Sequence, residues 1–235
     1  MVLYGRNPVR EALRGKRAVS RVWATGRAAA AEWLEGVELQ VVEDPERLTE
    51  RCGSAAHQGI CAEAGAYPYA DPAELLRAPD ALILALDGVE DPQNLGAVCR
   101  SAEAAGATGV VIPERRAADV TPAVCKASAG AVEHLALARV RNLTDFLADA
   151  KRAECWCYGA EAGAAVAYDA PDYRGGVVAV LGGEGRGLRR RVRDACDELV
   201  AIPQRGRVGS LNVSAAAAVL LYGILQRRAA LDRNP

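Results

Sequence analysis

Lysine is scarce in this chain, standing only at positions 16, 126 and 151 among 29 basic residues. The 30 acidic residues leave a formal net charge of −1, so no global field draws the chain toward a polyanion. No apolar run approaches the ~18 residues of a membrane span. The opening, MVLYGRNPVREAL, lacks the apolar core of a signal peptide, so a cytoplasmic protein is expected. The seven cysteines (Cys52, Cys61, Cys99, Cys125, Cys155, Cys157 and Cys196) are odd in number and scattered among apolar neighbours. They read as free buried thiols rather than a disulfide framework. Neither a second cysteine pair nor a nearby histidine completes a zinc set around Cys155 and Cys157, so no metal is expected. A Walker lysine motif and a G-x-G-x-x-G loop are both missing, which argues against P-loop and dinucleotide-binding chemistry. Internal repeats are absent as well.

What remains is an ordinary globular composition, 51% hydrophobic and 25% charged, in 235 residues. That length suits one domain of usual size and a small one. Residues 1–65 read as a small α/β unit. Asn7-Pro8 is placed at the cap of a helix over 9–13, with further helices at 28–34 and 45–52 and strands at 21–24 and 37–42. His57 has no triad partner nearby and reads as structural. Residues 66–75, with Pro68 and Pro72, break every periodicity and read as a linker. From there to residue 235 the pattern lengthens into alternating strands and helices. Six apolar strands are expected, at 81–86, 109–112, 135–140, 155–159, 177–181 and 199–202. Runs so continuously apolar predict a parallel sheet covered on both faces.

Three polar groups stand at strand ends or helix starts. Asp87-Gly-Val-Glu-Asp91-Pro-Gln-Asn94-Leu-Gly-Ala-Val-Cys-Arg100 places Asn94 in the first turn of a helix and Arg100 six residues on. An Asp cap explains Asp91-Pro92 but not Asn-Leu-Gly inside that turn, where Asn and Gly both disfavour helix. Gly182-Gly-Glu184-Gly-Arg-Gly187 follows the strand at 177–181, and Ser210-Leu-Asn212-Val-Ser214 opens the last helix. Alone, each has a plain reading as a cap or turn. Together they converge on the carboxyl ends of parallel strands, where open α/β sheets keep their ligands. Arg186, Arg189, Arg190, Arg191, Arg193, Arg205 and Arg207 crowd the same loops. They form either a solvated face or a phosphate-facing patch.

These motifs, in order, resemble those of the SpoU/TrmH family of RNA 2′-O-ribose methyltransferases, from Leu82 to about Arg228. Gly183 and Gln204 depart from the usual Ser/Ala and Met. A weaker similarity runs through Gly5-Arg-Asn-Pro-Val9 and His57-Gln-Gly-Ile60, which is similar to the family's small substrate-binding domain. The resemblance implies an α/β parallel-sheet domain with a C-terminal trefoil knot, residues 76–235, behind a substrate-binding unit at 1–65. It implies a homodimer that binds S-adenosyl-L-methionine in the knot, with contacts at Gly182, Ile202 and Leu211. Arg100, Asn94, Glu184, Ser210 and Asn212 are its implied catalytic set. The implied substrate is RNA, a guanosine of 23S ribosomal RNA ahead of transfer RNA. A guanidinium does not deprotonate in proteins, so Arg100 is expected to clamp phosphate rather than act as base. The competing expectation is a silent RNA-binding module of the same fold.

Overall fold

The computed structural model describes residues 1–183, 185 and 187–233. The chain begins with β1 (Val2–Tyr4), α1 (Arg6–Arg14), β2 (Val19–Thr25), α2 (Gly26–Ala29), β3 (Leu39–Val42), α3 (Glu46–Cys52) and β4 (Ile60–Ala64). The four strands form one sheet in the order β1-β4-β2-β3, with only β2 and β3 parallel. Two local expectations need correction. Asn7 does not cap α1: the helix starts earlier, at Arg6, behind Gly5 in the left-handed region at φ 97°. The helix expected over 28–34 is broken, because α2 stops at Ala29 and only a 3-10 turn at Glu32–Leu34 follows. His57 is structural: it is buried, and its Nδ1 accepts the Gly59 N–H at 3.0 Å.

The second sheet comprises β5 (Leu82–Asp87), β6 (Gly109–Pro113), β7 (Leu137–Val140), β8 (Trp156–Ala160), β9 (Val166–Ala167), β10 (Val177–Gly182) and β11 (Glu198–Ala201). Its order is β7-β6-β5-β10-β8-β11-β9, and every pairing is parallel. Among the described residues, seven strands stand where six were expected. The addition, β9, has two residues and is too short to show a period. Between the strands lie α5 (Pro92–Ala104), α6 (Pro122–Ala127), α7 (Leu143–Arg152) and α8 (Arg190–Asp194). The helices α4 (Pro72–Leu76) and α9 (Val213–Arg233) flank the sheet in sequence. Alternation explains why β5 is apolar up to Asp87. Leu82, Leu84 and Leu86 pack toward α5 and α9, whereas Ile83 and Ala85 pack toward α7 and α8. Among the described residues, no helix is long and apolar enough to cross a membrane.

The two sheets share one core. Leu3, Val9, Ala12 and Ile60 belong to the same apolar cluster as Val98, Val124 and Val132. A buried ion pair joins the units as well: Arg17 holds Glu133, which closes the 3-10 turn Ala131–Glu133. Between the sheets, the Tyr67 hydroxyl lies 3.0 Å from the carbonyl oxygens of both Val132 and Leu135. The Ala70 N–H donates to the Leu137 carbonyl at 2.9 Å, so this segment is anchored at Tyr67 and Ala70.

Candidate active site

The site forms where β5 and β10, paired in register, end together at Asp87 and Gly182. Asp87 is the last residue of a strand buried on both faces, and its carboxylate lies out of reach of water. A charge placed there needs a partner. Arg189 supplies it: its backbone N–H donates to Oδ2 at 2.8 Å and its Nε to Oδ1 at 2.6 Å. This clamp ties the far end of the glycine loop back to β5. The sequence reading grouped Arg189 with the surface arginines. A fully apolar strand ending in Asp signals a buried carboxylate, but not which arginine answers it.

Two glycines make the loop's path possible. A Cβ on Gly182 would overlap the backbone of Gly187, and one on Gly183 would overlap the Gly88 carbonyl. Main chain therefore meets main chain with no room for a methyl group. Gly183 and Gly187 also bond to each other, the Gly187 N–H donating at 3.2 Å to the Gly183 carbonyl.

The odd Asn-Leu-Gly in the first turn of α5 is explained by tertiary contacts. Asp91 caps the helix, its Oδ1 accepting the Gln93 N–H at 2.9 Å. The buried Asn94 accepts a 2.9 Å hydrogen bond from Asn212 Nδ2 through its own Oδ1, across 118 residues of chain. Gly96 lies so close to α6 that a Cβ would overlap Ala127. Asn212 works in two directions. Its Oδ1 accepts from the Ser214 N–H at 2.9 Å and from the Ser214 hydroxyl at 2.6 Å, which caps α9.

Two cavities adjoin here. One, of about 550 Å³, is walled by Gly182, Ile202 and Leu211, with Ser210 and Asn212 at its polar side. The other, about 400 Å³, is lined by Asn94, Asp87, Arg116 and Arg189. Gly183, Gly187 and Val213 belong to both walls. The structure thus gathers six of the eight expected positions. These face one cavity or the other, and Arg100 is exposed on α5, lining neither. Glu184, the eighth, lies outside the described residues. Among the described residues no cysteine lines either cavity, and burial pushes Cys157 and Cys196 up to about 12.

Comparison with known proteins gives the family and the fold. Residues 81–222 match the SpoU rRNA Methylase family, and residues 2–70 match the RNA 2′-O ribose methyltransferase substrate binding domain. YacO of Bacillus subtilis (strain 168), named provisionally as a TrmH family tRNA/rRNA methyltransferase, is 37% identical over 95% of this chain and 94% of its own. An uncharacterized tRNA/rRNA methyltransferase of Mycobacterium avium (strain 104) is 42% identical over 95% of this chain and 76% of its own. Among solved structures, the SpoU methyltransferase AviRb from Streptomyces viridochromogenes, in complex with the cofactor AdoMet, superposes with a TM-score of 0.83. Its identity is 26%, over 97% of this chain and 90% of that one. Two sheets, two ranges and one shared core therefore lead to a single conclusion: the chain belongs to the SpoU rRNA methylase family and is an RNA methyltransferase of that family.

Proposed function

We propose that this protein methylates the ribose 2′-hydroxyl of RNA, with S-adenosyl-L-methionine as donor and a 23S ribosomal RNA guanosine as target. The carrying observation is the Asn94–Asn212 hydrogen bond, which sits between two adjoining cavities of ligand size. The larger cavity suits the donor. Its glycine walls present bare backbone, Ile202 and Leu211 offer apolar surface to an adenine, and Ser210 and Asn212 offer polar groups. When bound, the donor supplies an electrophilic methyl group on a sulfonium centre.

The smaller cavity, with Asn94 on its wall and two arginines at its edge, suits the ribose and its phosphates. Asn94 and Asn212 hold each other and orient the sugar. Arg100, exposed and without an ion-pair partner among the described residues, clamps a neighbouring phosphate as a permanent cation. The hydroxyl sheds its proton to water or to a phosphate oxygen, since a guanidinium cannot accept it. Glu184 is assigned to holding the glycine loop or pairing with an arginine. Following the resemblance, residues 76–235 form the knotted methyltransferase domain, residues 1–65 bind the RNA, and the working unit is a homodimer. A silent binding module would not need an Asn pair joined between two cavities.

Methylation of protein-free ribosomal RNA and bulk transfer RNA with a radiolabelled donor tests the reading. Label recovered in alkali-stable dinucleotides is the expected result, because a 2′-O-methyl group blocks strand cleavage at that ribose. Label confined to bases would overturn the ribose assignment. Transfer RNA is the second reading, supported by relatives that carry both substrates in their names.

A further inference from the structure

Two stretches noted in the sequence, Gly5-Arg-Asn-Pro-Val9 and His57-Gln-Gly-Ile60, have no part in the chemistry above, yet the fold brings them together. The Gly5 N–H donates to the Ile60 carbonyl at 3.1 Å, and the Arg6 N–H donates to Gln58 Oε1 at 3.0 Å. Gln58 reaches that position from the left-handed region, at φ 56°, an uncommon state for a residue with a side chain. The turn is held on both sides, by the Gly59 N–H on His57 Nδ1 and by the Thr25 N–H on the Gly59 carbonyl at 2.8 Å. Lys126 of α6 crosses over from the methyltransferase unit. A Cβ on Gly5 would overlap its Nζ, and its ammonium lies 5.9 Å from the centre of the Tyr4 ring.

The cations around this turn differ in whether a carboxylate holds them. Arg10 and Arg14 are held by Glu11, and Arg17 by Glu133. Arg6, Arg27 and Lys126 make no ion pair among the described residues. Arg6 and Arg27 are exposed, and Arg27 lies on α2, whose Ala28 abuts Gly59. Lys126 is only part-exposed, and burial holds its ammonium below its ordinary value with no carboxylate to offset the loss of water. A lysine with only a solvating role would extend into water. This one instead lies across the junction of two units.

We propose that the junction of the two units is an RNA-backbone contact surface, with Arg6, Arg27 and Lys126 holding phosphates around the Gln58 turn. The proposal rests on the RNA methyltransferase reading and adds where the strand runs. Lys126 precedes Ala127, which packs on Gly96, two residues beyond Asn94 on α5. A strand held at the junction is thereby tied through packed helices to the site's own asparagine.

The test is RNA affinity against salt concentration, with protein-free 23S ribosomal RNA and bulk transfer RNA as probes. The variants are Arg6→Gln, Arg27→Gln, Lys126→Met and the triple combination. Each lost phosphate contact should flatten the logarithmic salt slope by about 0.7–0.9, or about 5- to 8-fold in affinity at 0.1 M salt. Donor affinity should stay unchanged, as should RNA affinity in Arg47→Ala, an exposed α3 cation elsewhere on the small unit. Should Lys126→Met disturb folding, Lys126→Arg and the exposed Arg6/Arg27 pair still decide the matter. Wild-type salt slopes in the triple variant would overturn the surface while leaving the enzyme reading intact. A wild-type protein that neither binds RNA nor transfers methyl groups would instead sink the reading beneath it.

Discussion

Glu133→Gln should destabilise the whole molecule, because it strands a charge inside the seam between the two units. Arg17 and Glu133 are each 2% exposed at the side chain. The guanidinium donates from Nε to Glu133 Oε2 at 3.1 Å and from Nη2 to Oε1, with Cys125 Sγ at 3.5 Å and the Tyr67 ring 5.6 Å away. Burial pulls Arg17 downward, but the bonds to Glu133 and Cys125 outweigh it and hold the group above its ordinary value. Arg17 therefore stays charged at any usable pH, and glutamine cannot neutralise it. Breaking a buried pair by removing one partner typically costs about 3–5 kcal/mol, against a total stability of about 5–15 kcal/mol. Replacing both by apolar residues, as in Arg17→Met with Glu133→Leu, should restore most of the loss, since the desolvation of both ions then vanishes. Urea denaturation of the wild type, Arg17→Met, Glu133→Leu and the double variant measures the cycle, with Glu133→Gln beside it. Single variants that lose under about 1 kcal/mol would show that water reaches the pair, the usual result for an exposed one, and the seam would not be buried.

Four further outcomes follow from the site and the core. Gly182→Ala should abolish measurable donor binding in calorimetry while far-ultraviolet circular dichroism persists, because the new methyl group meets Gly187 backbone rather than a movable side chain. Asn212→Ala should remove the α9 cap, at about 1 kcal/mol in thermal or urea unfolding. It should also lower turnover more than Ser214→Ala, which leaves the bond to Asn94 in place. Arg100→Ala should reduce the rate by ~10²–10³ with donor affinity unchanged. Arg100→Lys should fall between, with no displacement of the alkaline limb of the pH–rate profile, and a limb moved by more than a unit would make Arg100 the base. Burial raises Cys61 and Cys125 to about 11 and Cys99 and Cys157 to about 12, from 9.0. Their contribution is complete below pH 9 and is lost as pH rises toward the folded values, at up to about 1.4 kcal/mol per pH unit for each thiol. Denaturation at pH 7, 9 and 10.5 checks the sign.

How much of this was legible beforehand varies with the range of the interaction. The apolar runs announced β5, β6 and β10 because each is buried nearly throughout, and β7, β8 and β11 because each is mostly apolar, whereas β9 has two residues and no period to display. Asp91-Pro92 marked the start of α5 correctly, since a cap is local chemistry. The start of α1 was misplaced because its first N–H is satisfied by Gln58, a residue 52 positions away that no window includes. Long range also hid the Asp87–Arg189 clamp, although Asp87 itself was visible as the polar end of an apolar strand. The segment between the units looked like a spacer because prolines break periodicity. In the fold, Tyr67 and Ala70 anchor there through main-chain partners, which any sequence could offer.

That anchoring changes what the small unit can do. A substrate-binding module on a loose tether raises the local concentration of RNA but leaves its register free. Here the seam holds a buried ion pair, a shared apolar cluster and a tyrosine hydroxyl on two carbonyls, so a hinge would have to expose all three at once. A fixed seam sets a fixed distance between any nucleotide gripped by the small unit and the cavity beside Asn94. Selection of the target ribose can then be geometric, decided by how far along the strand it lies from the gripped phosphates. On this reasoning, loosening the seam with Glu133→Gln should blur the choice of methylated nucleotide before it slows methyl transfer. Methylation mapped on ribosomal RNA at a temperature where the variant remains folded should show added sites near the main one. A single unshifted site at reduced yield would mean that the seam serves stability alone.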